Sequence, residues 1–177
     1  VGQDLFLFSE SGIENVAFGL HGGKAEIEVV EEALGTAAMD EEVRGLLNGH
    51  NTRLGERGVN LSGGQKQRLA IARAIAMRPS ILILDDALSS VDIRTEEKIL
   101  AALKTRTLRN TELISSHRIS TIRGADRIVL LEGGRICQMG THSELNSVAS
   151  GAYARFFDRQ QRLEEFGRLE EAWSVSP

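Results

Sequence analysis

Two stretches of the sequence hold residues whose types and spacing suit phosphate and metal chemistry. The first is Leu61-Ser62-Gly63-Gly64-Gln65. Gly63 and Gly64 have no Cβ, so backbone N–H groups there can approach a bulky anion closely. Ser62 adds a hydroxyl. The basic-then-apolar stretch from Lys66 to Met77 reads as a helix, and its N-terminus, with free N–H groups and the positive dipole end, faces the same place. Together these make a phosphate-facing surface, although a serine and two glycines alone also fit an ordinary loop. The second stretch is Ile81-Leu82-Ile83-Leu84-Asp85-Asp86. Its apolar part reads as a short strand, expected to be buried on both faces as in a parallel sheet. Ligand chemistry in such sheets gathers at the carboxyl ends of the strands. Asp85 is therefore a candidate to hold Mg²⁺, directly or through water. Asp86 is a candidate to orient or deprotonate a water. The same pair also fits a plain cap on the next turn.

These residues need elements to hold them. With 177 residues, 41% of them hydrophobic, the chain can bury the core of one domain. A net charge of -4 does not mark a general nucleic-acid binder. Cys137 is the single cysteine, which excludes an internal disulfide and fits a reducing compartment. No apolar run approaches the roughly 20 residues of a membrane span, and no signal peptide is recognisable.

Apolar spacing predicts helices over Ile13–Phe18, Ala25–Leu34 and Met39–Leu47, with a turn at Gly19–Gly23 and no strand alternation between. The helix after Gln65 puts Leu69, Ala72, Ile75 and Ala76 inward, with Lys66, Gln67, Arg68 and Arg73 elsewhere. Pro79 stops it. Asp92 can cap a helix over Ile93–Leu103, whose apolar side is Ile99, Leu100 and Leu103 and whose polar side includes Glu96. A strand over Leu113–Ser116 ends at His117. A short helix over Ile119–Gly124 and a hairpin turning at Gly133-Gly134 follow. Thr141 caps another short helix, with His142 as a capping or surface residue. A last helix over Ala152–Gln161 precedes a charged tail expected to be loosely held.

In order, Leu61–Gln65, Ile81–Asp86, Ser89-Ser90-Val91-Asp92 and His117 resemble the nucleotide-binding domain of an ABC transporter. Leu61-Ser62-Gly63-Gly64-Gln65 matches the family signature, the strand to Asp85 matches Walker B, Ser89 to Asp92 the D-loop and His117 the switch histidine. Val1-Gly2-Gln3-Asp4 matches the Q-loop, and Thr52 to Gly58 resembles the X-loop of exporters, with Arg53 where exporters usually carry Glu. The resemblance covers residue 1 to about residue 160. It implies an α/β fold: a P-loop NTPase (RecA-like) core with a parallel sheet, incomplete here, and an inserted all-helical subdomain carrying the signature. The implied division is a partial nucleotide-binding domain over 1–165, with the helical subdomain at about 5–77 and the RecA-like part at 78–161, then a tail over 162–177.

The resemblance assigns ATP and Mg²⁺ as cofactors. Gln3 and Asp85 would serve the metal, with Gln3 also bonding the attacking water. Asp86 and His117 would act at the γ-phosphate. Leu61, Ser62, Gly63, Gly64, Gln65, Ser89 and Asp92 would line the nucleotide. A phosphate loop of the form G-x-x-x-x-G-K-[ST] is missing. Gly23-Lys24 is the one candidate, but Phe18 stands where the first glycine belongs and Ala25 where Ser or Thr does. The chain is therefore expected to be the C-terminal part of a longer polypeptide. The missing part would hold the phosphate loop, an adenine-stacking aromatic and transmembrane helices, placing this domain at the cytoplasmic face of a membrane.

The implied partner is a second nucleotide-binding domain, packed head to tail so that each signature closes over the other's phosphate loop. Asp86 stands where the family usually has Glu. Its shorter reach predicts a slow site of its own beside a competent partner site, as in a heterodimeric exporter. A working homodimer is the alternative. A chromosome-organising ATPase head would insert long coiled coils between Gln3 and Leu61, and the short stretch 4–60 has no heptads. A soluble translation-type relative would need two such domains in one chain and would lack an X-loop. A nucleotide-binding partner without turnover is the third alternative.

Overall fold

A computed structural model of the chain describes residues 1–2, 6–20, 26–55, 59–106 and 110–174. It divides into two compact units, Val1–His117 and Arg118–Pro177.

The first unit begins with helices. A helix α1 spans Gly12–Ala17 and is started by Ser11, whose hydroxyl accepts from the Glu14 N–H while the Glu14 carboxylate accepts from the Ser11 N–H. This reciprocal cap satisfies two of the N–H groups a helix start leaves open. Helices α2 (Ile27–Thr36) and α3 (Asp40–Arg44) follow. A long helix α4 spans Gly63–Ala76. It ends where Met77 caps it and Arg78 turns to φ +46 before Pro79. Val30, Ala33, Leu34, Leu69, Ile71, Ala72 and Ile75 are buried together in the core that α2 and α4 share. Each fully buried Leu or Ile there contributes roughly 1.5–3 kcal/mol.

Strand β1 (Ile81–Asp85) and strand β2 (Thr111–Ser115) pair in parallel, with Asp85 opposite Ser115. Helix α5 (Ile93–Thr105) makes the crossover between them. Val1 flanks the other edge of β1: its N–H group donates to Ile83 O at 2.7 Å and its carbonyl accepts from the Asp85 N–H at 2.9 Å. The expectation that β1 is buried on both faces is corrected. Leu82 and Leu84 are 2% and 0% exposed, whereas Ile81 and Ile83 are 58% and 54% exposed. Side chains alternate along a strand, and among the described residues the covering core lies on one face.

The placement of three polar residues is also corrected. Gln67 and Arg68 on α4, and Glu96 on α5, are buried rather than on an outer side. A buried polar group is tolerated when hydrogen-bonded. Arg68 donates to Ala38 O at 2.5 Å and pairs with Glu42 at 2.6 Å.

In the second unit, α6 (Ile119–Ile122) precedes an antiparallel hairpin of β3 (Ile128–Glu132) and β4 (Arg135–Gly140). Gly133 and Gly134 take φ +55 and +75, the left-handed turn that favours glycine. Helix α7 (His142–Ser147) starts at a Thr141–Glu144 capping box. The last helix, α8, runs Ala152–Ser174, well beyond Gln161. His142 is not a plain surface residue: its Nδ1 lies 2.8 Å from the hydroxyl of fully buried Tyr153, and its ring meets Phe157 edge-on.

Candidate nucleotide site

The signature residues form the start of α4. Ser62 is the N-cap: its hydroxyl accepts from the Gln65 N–H at 3.2 Å, and the Gln65 side-chain oxygen accepts from the Ser62 N–H at 2.8 Å. Lys66 N–H then makes the first turn's bond to Ser62 O. Of the four N–H groups left open at a helix start, this box uses those of Ser62 and Gln65. Those of Gly63 and Gly64 stay at the tip, where Ser62 and Gly63 are exposed and Gly64 half-buried. A helix start of this kind can receive an anion. Leu61 is buried and anchors the turn in the core. Gln65 Nε2 donates to Glu42 at 2.8 Å, which joins the signature to α3.

The carboxylates lie at the C-terminal end of β1. Asp85 is exposed there, and Ser115 Oγ on the neighbouring strand donates to its Oδ1 at 2.5 Å. Asp86 leaves the strand at φ +50, and its N–H donates to the Ser115 carbonyl and hydroxyl, each at 3.2 Å. A short polar side chain tolerates this left-handed conformation better than most. His117 follows two residues after β2, exposed in a bend. The pairing of β1 with β2 thus brings the Asp85–Asp86 end and the segment leading to His117 to one edge of the sheet.

The loop after Asp86 is held from both sides. Ser89 Oγ donates to Asp86 O at 2.8 Å. Asp92 ends the loop and caps α5, its carboxylate accepting from the Thr95 N–H at 3.0 Å. Hydrogen bonding by the Thr95 side chain, and then by its N–H, holds the Asp92 carboxyl below its ordinary value. Sequence reasoning missed the side chain that meets this loop, buried Gln67, whose polar character gave no sign of burial. Gln3 lies outside the described residues, as do Glu56, Arg57 and Gly58 of the X-loop-like stretch. Arg53, within that stretch, donates through Nε to Ser9 O at 3.0 Å and lies 4.0 Å from Glu10.

Asp85, with the Ser115 hydroxyl beside it, offers hard oxygen donors of the kind Mg²⁺ takes. Among the described residues no three or more His, Cys, Asp or Glu side chains converge as a metal cage. The Gly63–Gly64 tip fits a phosphate group.

The parallel β–α–β crossover, with carboxylates at a strand end beside a glycine-started helix, is part of a P-loop NTPase fold of the ABC type, as the likeness to known proteins shows. The chain belongs to the ABC transporter family, whose model matches residues 1–89. It is 46% identical over 155 residues to an ATP-dependent lipid A-core flippase of Cupriavidus metallidurans, which covers 87% of this chain and 26% of that protein. It is 44% identical over 171 residues to ABC multidrug transporter E of Aspergillus fumigatus, 93% of this chain and 13% of that one. Among solved structures, a bacterial Atm1-family ABC exporter with ATP bound matches at 39% identity and TM-score 0.83, over 90% of this chain and 28% of its own. The chain therefore spans between 13% and 28% of the length of these relatives.

Proposed function

We propose that this chain is an ATP-binding and ATP-hydrolysing domain of an ABC exporter, working at the cytoplasmic face of a membrane as part of a longer polypeptide. The observation that carries the proposal is the pair of surfaces in one unit: the Gly63–Gly64 helix start, with Gly63 exposed and Gly64 half-buried, and the Asp85–Asp86 strand end, with Asp85 exposed and Asp86 half-buried. The likeness to lipid and multidrug exporters supports it. We read residues 5–77 as the helical subdomain, 78–161 as the RecA-like part and 162–177 as the tail.

Bound ATP and Mg²⁺ would supply the phosphoryl group and neutralise its charge. Asp85, with Gln3, holds the metal. Asp86 orients or deprotonates the water, and His117 contacts the γ-phosphate. The tip at Ser62–Gly64, positioned by Leu61 and Gln65, offers its N–H groups to the nucleotide held by a second domain, and Ser89 and Asp92 shape the loop between. The partner is a second nucleotide-binding domain, and upstream transmembrane helices turn its closing and opening into transport.

Asp86 is one methylene shorter than Glu. A misplacement of about 1 Å at the water can slow hydrolysis on the order of 100-fold. We read this chain's own Walker B site as the slow half of a heterodimeric exporter. Single-turnover hydrolysis at each site of the assembled pair tests the reading. Expected is slow turnover at the Asp86 site and fast turnover at the site closed by Ser62–Gly64. Fast turnover at the Asp86 site, unchanged in Asp86→Asn, overturns it.

A further inference from the structure

Gln67 belongs to none of the motifs that carry the family likeness, yet it is 6% exposed with both ends of its amide engaged. Its Oε1 accepts from the Ser90 N–H at 2.8 Å, and its Nε2 donates to Ser89 Oγ at 3.1 Å. Ser89 Oγ in turn donates to the backbone carbonyl of Asp86 at 2.8 Å. One turn earlier on α4, Gly64 packs directly against the Ser90 carbonyl. A continuous path therefore runs from the helix that presents Gly63 and Gly64, through Gln67, to the residue after the metal-binding position.

We propose that Gln67 is a positioning residue that ties the signature helix to the loop carrying Ser89 and Ser90, so that the signature and the Asp86 backbone move as one body. A buried amide with its donor and acceptor both satisfied fixes whatever it bonds, because breaking either bond leaves a buried polar group unpaired. The tie joins two surfaces that, on the reading above, serve different nucleotides: the tip acts on the partner's and Asp85–Asp86 on the chain's own. Gln67 touches neither. Its effect must therefore fall on the geometry of the closed state, and so on turnover, rather than on capture of ATP.

The test uses the intact exporter carrying this chain, with ATP binding, steady-state hydrolysis, thermal unfolding and amide exchange measured on wild type, Gln67→Met and Gln67→Glu. Methionine keeps the buried volume and removes both hydrogen bonds. Glutamate keeps the acceptor for the Ser90 N–H and removes only the donor to Ser89 Oγ, so it restores the Ser90 half of the tie. Expected for Gln67→Met is a kcat about 10-fold lower with KM for ATP within about 2-fold, a thermal midpoint close to wild type, and faster exchange at the 86–92 amides. Expected for Gln67→Glu is a kcat between those of wild type and Gln67→Met. Wild-type kcat in Gln67→Met, or kcat and KM worsening together with a collapsed thermal midpoint, overturns the positioning role. If the wild-type exporter neither binds nor hydrolyses ATP, the proposed function falls, and the exchange measurement still decides the tie: unchanged exchange over 86–92 in Gln67→Met refutes it.

Discussion

Gly64 lies so close to Ser90 that a Cβ built on it would stand 2.6 Å from the Ser90 carbonyl oxygen. One residue earlier, a Cβ on Gly63 would meet only the Ser90 side chain, at 3.8 and 3.9 Å, an ordinary contact. Two adjacent glycines thus have different reasons to lack a side chain. Gly64 allows the close approach of two backbones, while Gly63 leaves the tip of α4 open.

That difference predicts a split between two conservative variants. Gly64→Ala must push the Ser90 backbone or α4 aside, and overpacking of this kind costs about 1–3 kcal/mol. Gly63→Ala should leave stability within about 0.5 kcal/mol of wild type. Urea unfolding followed by circular dichroism measures both. Equal stability of the two variants would show that the Gly64–Ser90 approach is relieved without strain.

Asn15 offers a second test. It is fully buried, its Oδ1 accepts from the Phe8 N–H at 3.0 Å and from Arg73 Nη2 at 3.0 Å, and its Nδ2 donates to Phe8 O at 3.0 Å. Arg73 also donates to Asn15 O at 2.8 Å and to Phe6 O at 3.0 Å, and its guanidinium lies over the Phe8 ring. Asn15 therefore pins the aromatic segment that follows Gln3 onto α1 and α4. Asn15→Ala strands several of these groups, each costing about 1–3 kcal/mol when left unpaired and buried. Expected is a loss of at least about 2 kcal/mol in the same unfolding assay, with faster proteolysis around Phe6–Phe8.

Acid should weaken the helix starts. Glu14, Asp92 and Glu144 all have carboxyl pKa values lowered by hydrogen bonds with Ser11, Thr95 and Thr141 respectively. A carboxyl whose folded value lies below its unfolded value adds stability that is complete above the unfolded value. That stability is lost as pH falls through the folded value. The loss should therefore begin near pH 4, the ordinary carboxylate range, and continue below it. Thermal midpoints of wild type and of the Glu14→Gln, Asp92→Asn, Glu144→Gln triple variant, measured across that window, should converge as pH falls. A constant gap between them would remove these carboxylates as the cause.

Much of this arrangement was legible in the sequence. The Ser62–Gln65 start, the stop at Pro79, the Asp92 cap and the Gly133–Gly134 hairpin all follow from local rules on caps and turns. Other features depend on neighbours distant in the chain. An all-apolar run such as Ile81–Leu84 does not reveal that only Leu82 and Leu84 are covered. Gln67, Arg68 and Glu96 have the polarity of surface residues, and only the partners folded against them make burial tolerable. His142 likewise meets Tyr153 because α7 and α8 pack together. The left-handed turn at Asp86 has no sequence marker, since aspartate is compatible with many conformations.

Glu42 receives both Gln65 and Arg68, which makes it the support of the signature from the α3 side. Glu42→Ala should leave Arg68 buried without its carboxylate. Removing one partner of a largely buried pair costs about 3 kcal/mol when both are desolvated. Glu42 is 41% exposed at its side chain against 11% for Arg68, so a loss of about 1–2 kcal/mol is expected here. Glu42→Gln, which still accepts from both, should recover most of it.

The central proposal is that the turn at Ser62–Gly64 completes a nucleotide pocket belonging mostly to a neighbouring domain. Photolabelling the intact, assembled exporter with an ATP analogue reactive at its γ-phosphate tests this most directly. Peptide mapping should find label within residues 61–65, and label there should disappear when the partner domain's phosphate loop is disabled. Label confined to the partner, with none in 61–65, would contradict the proposal.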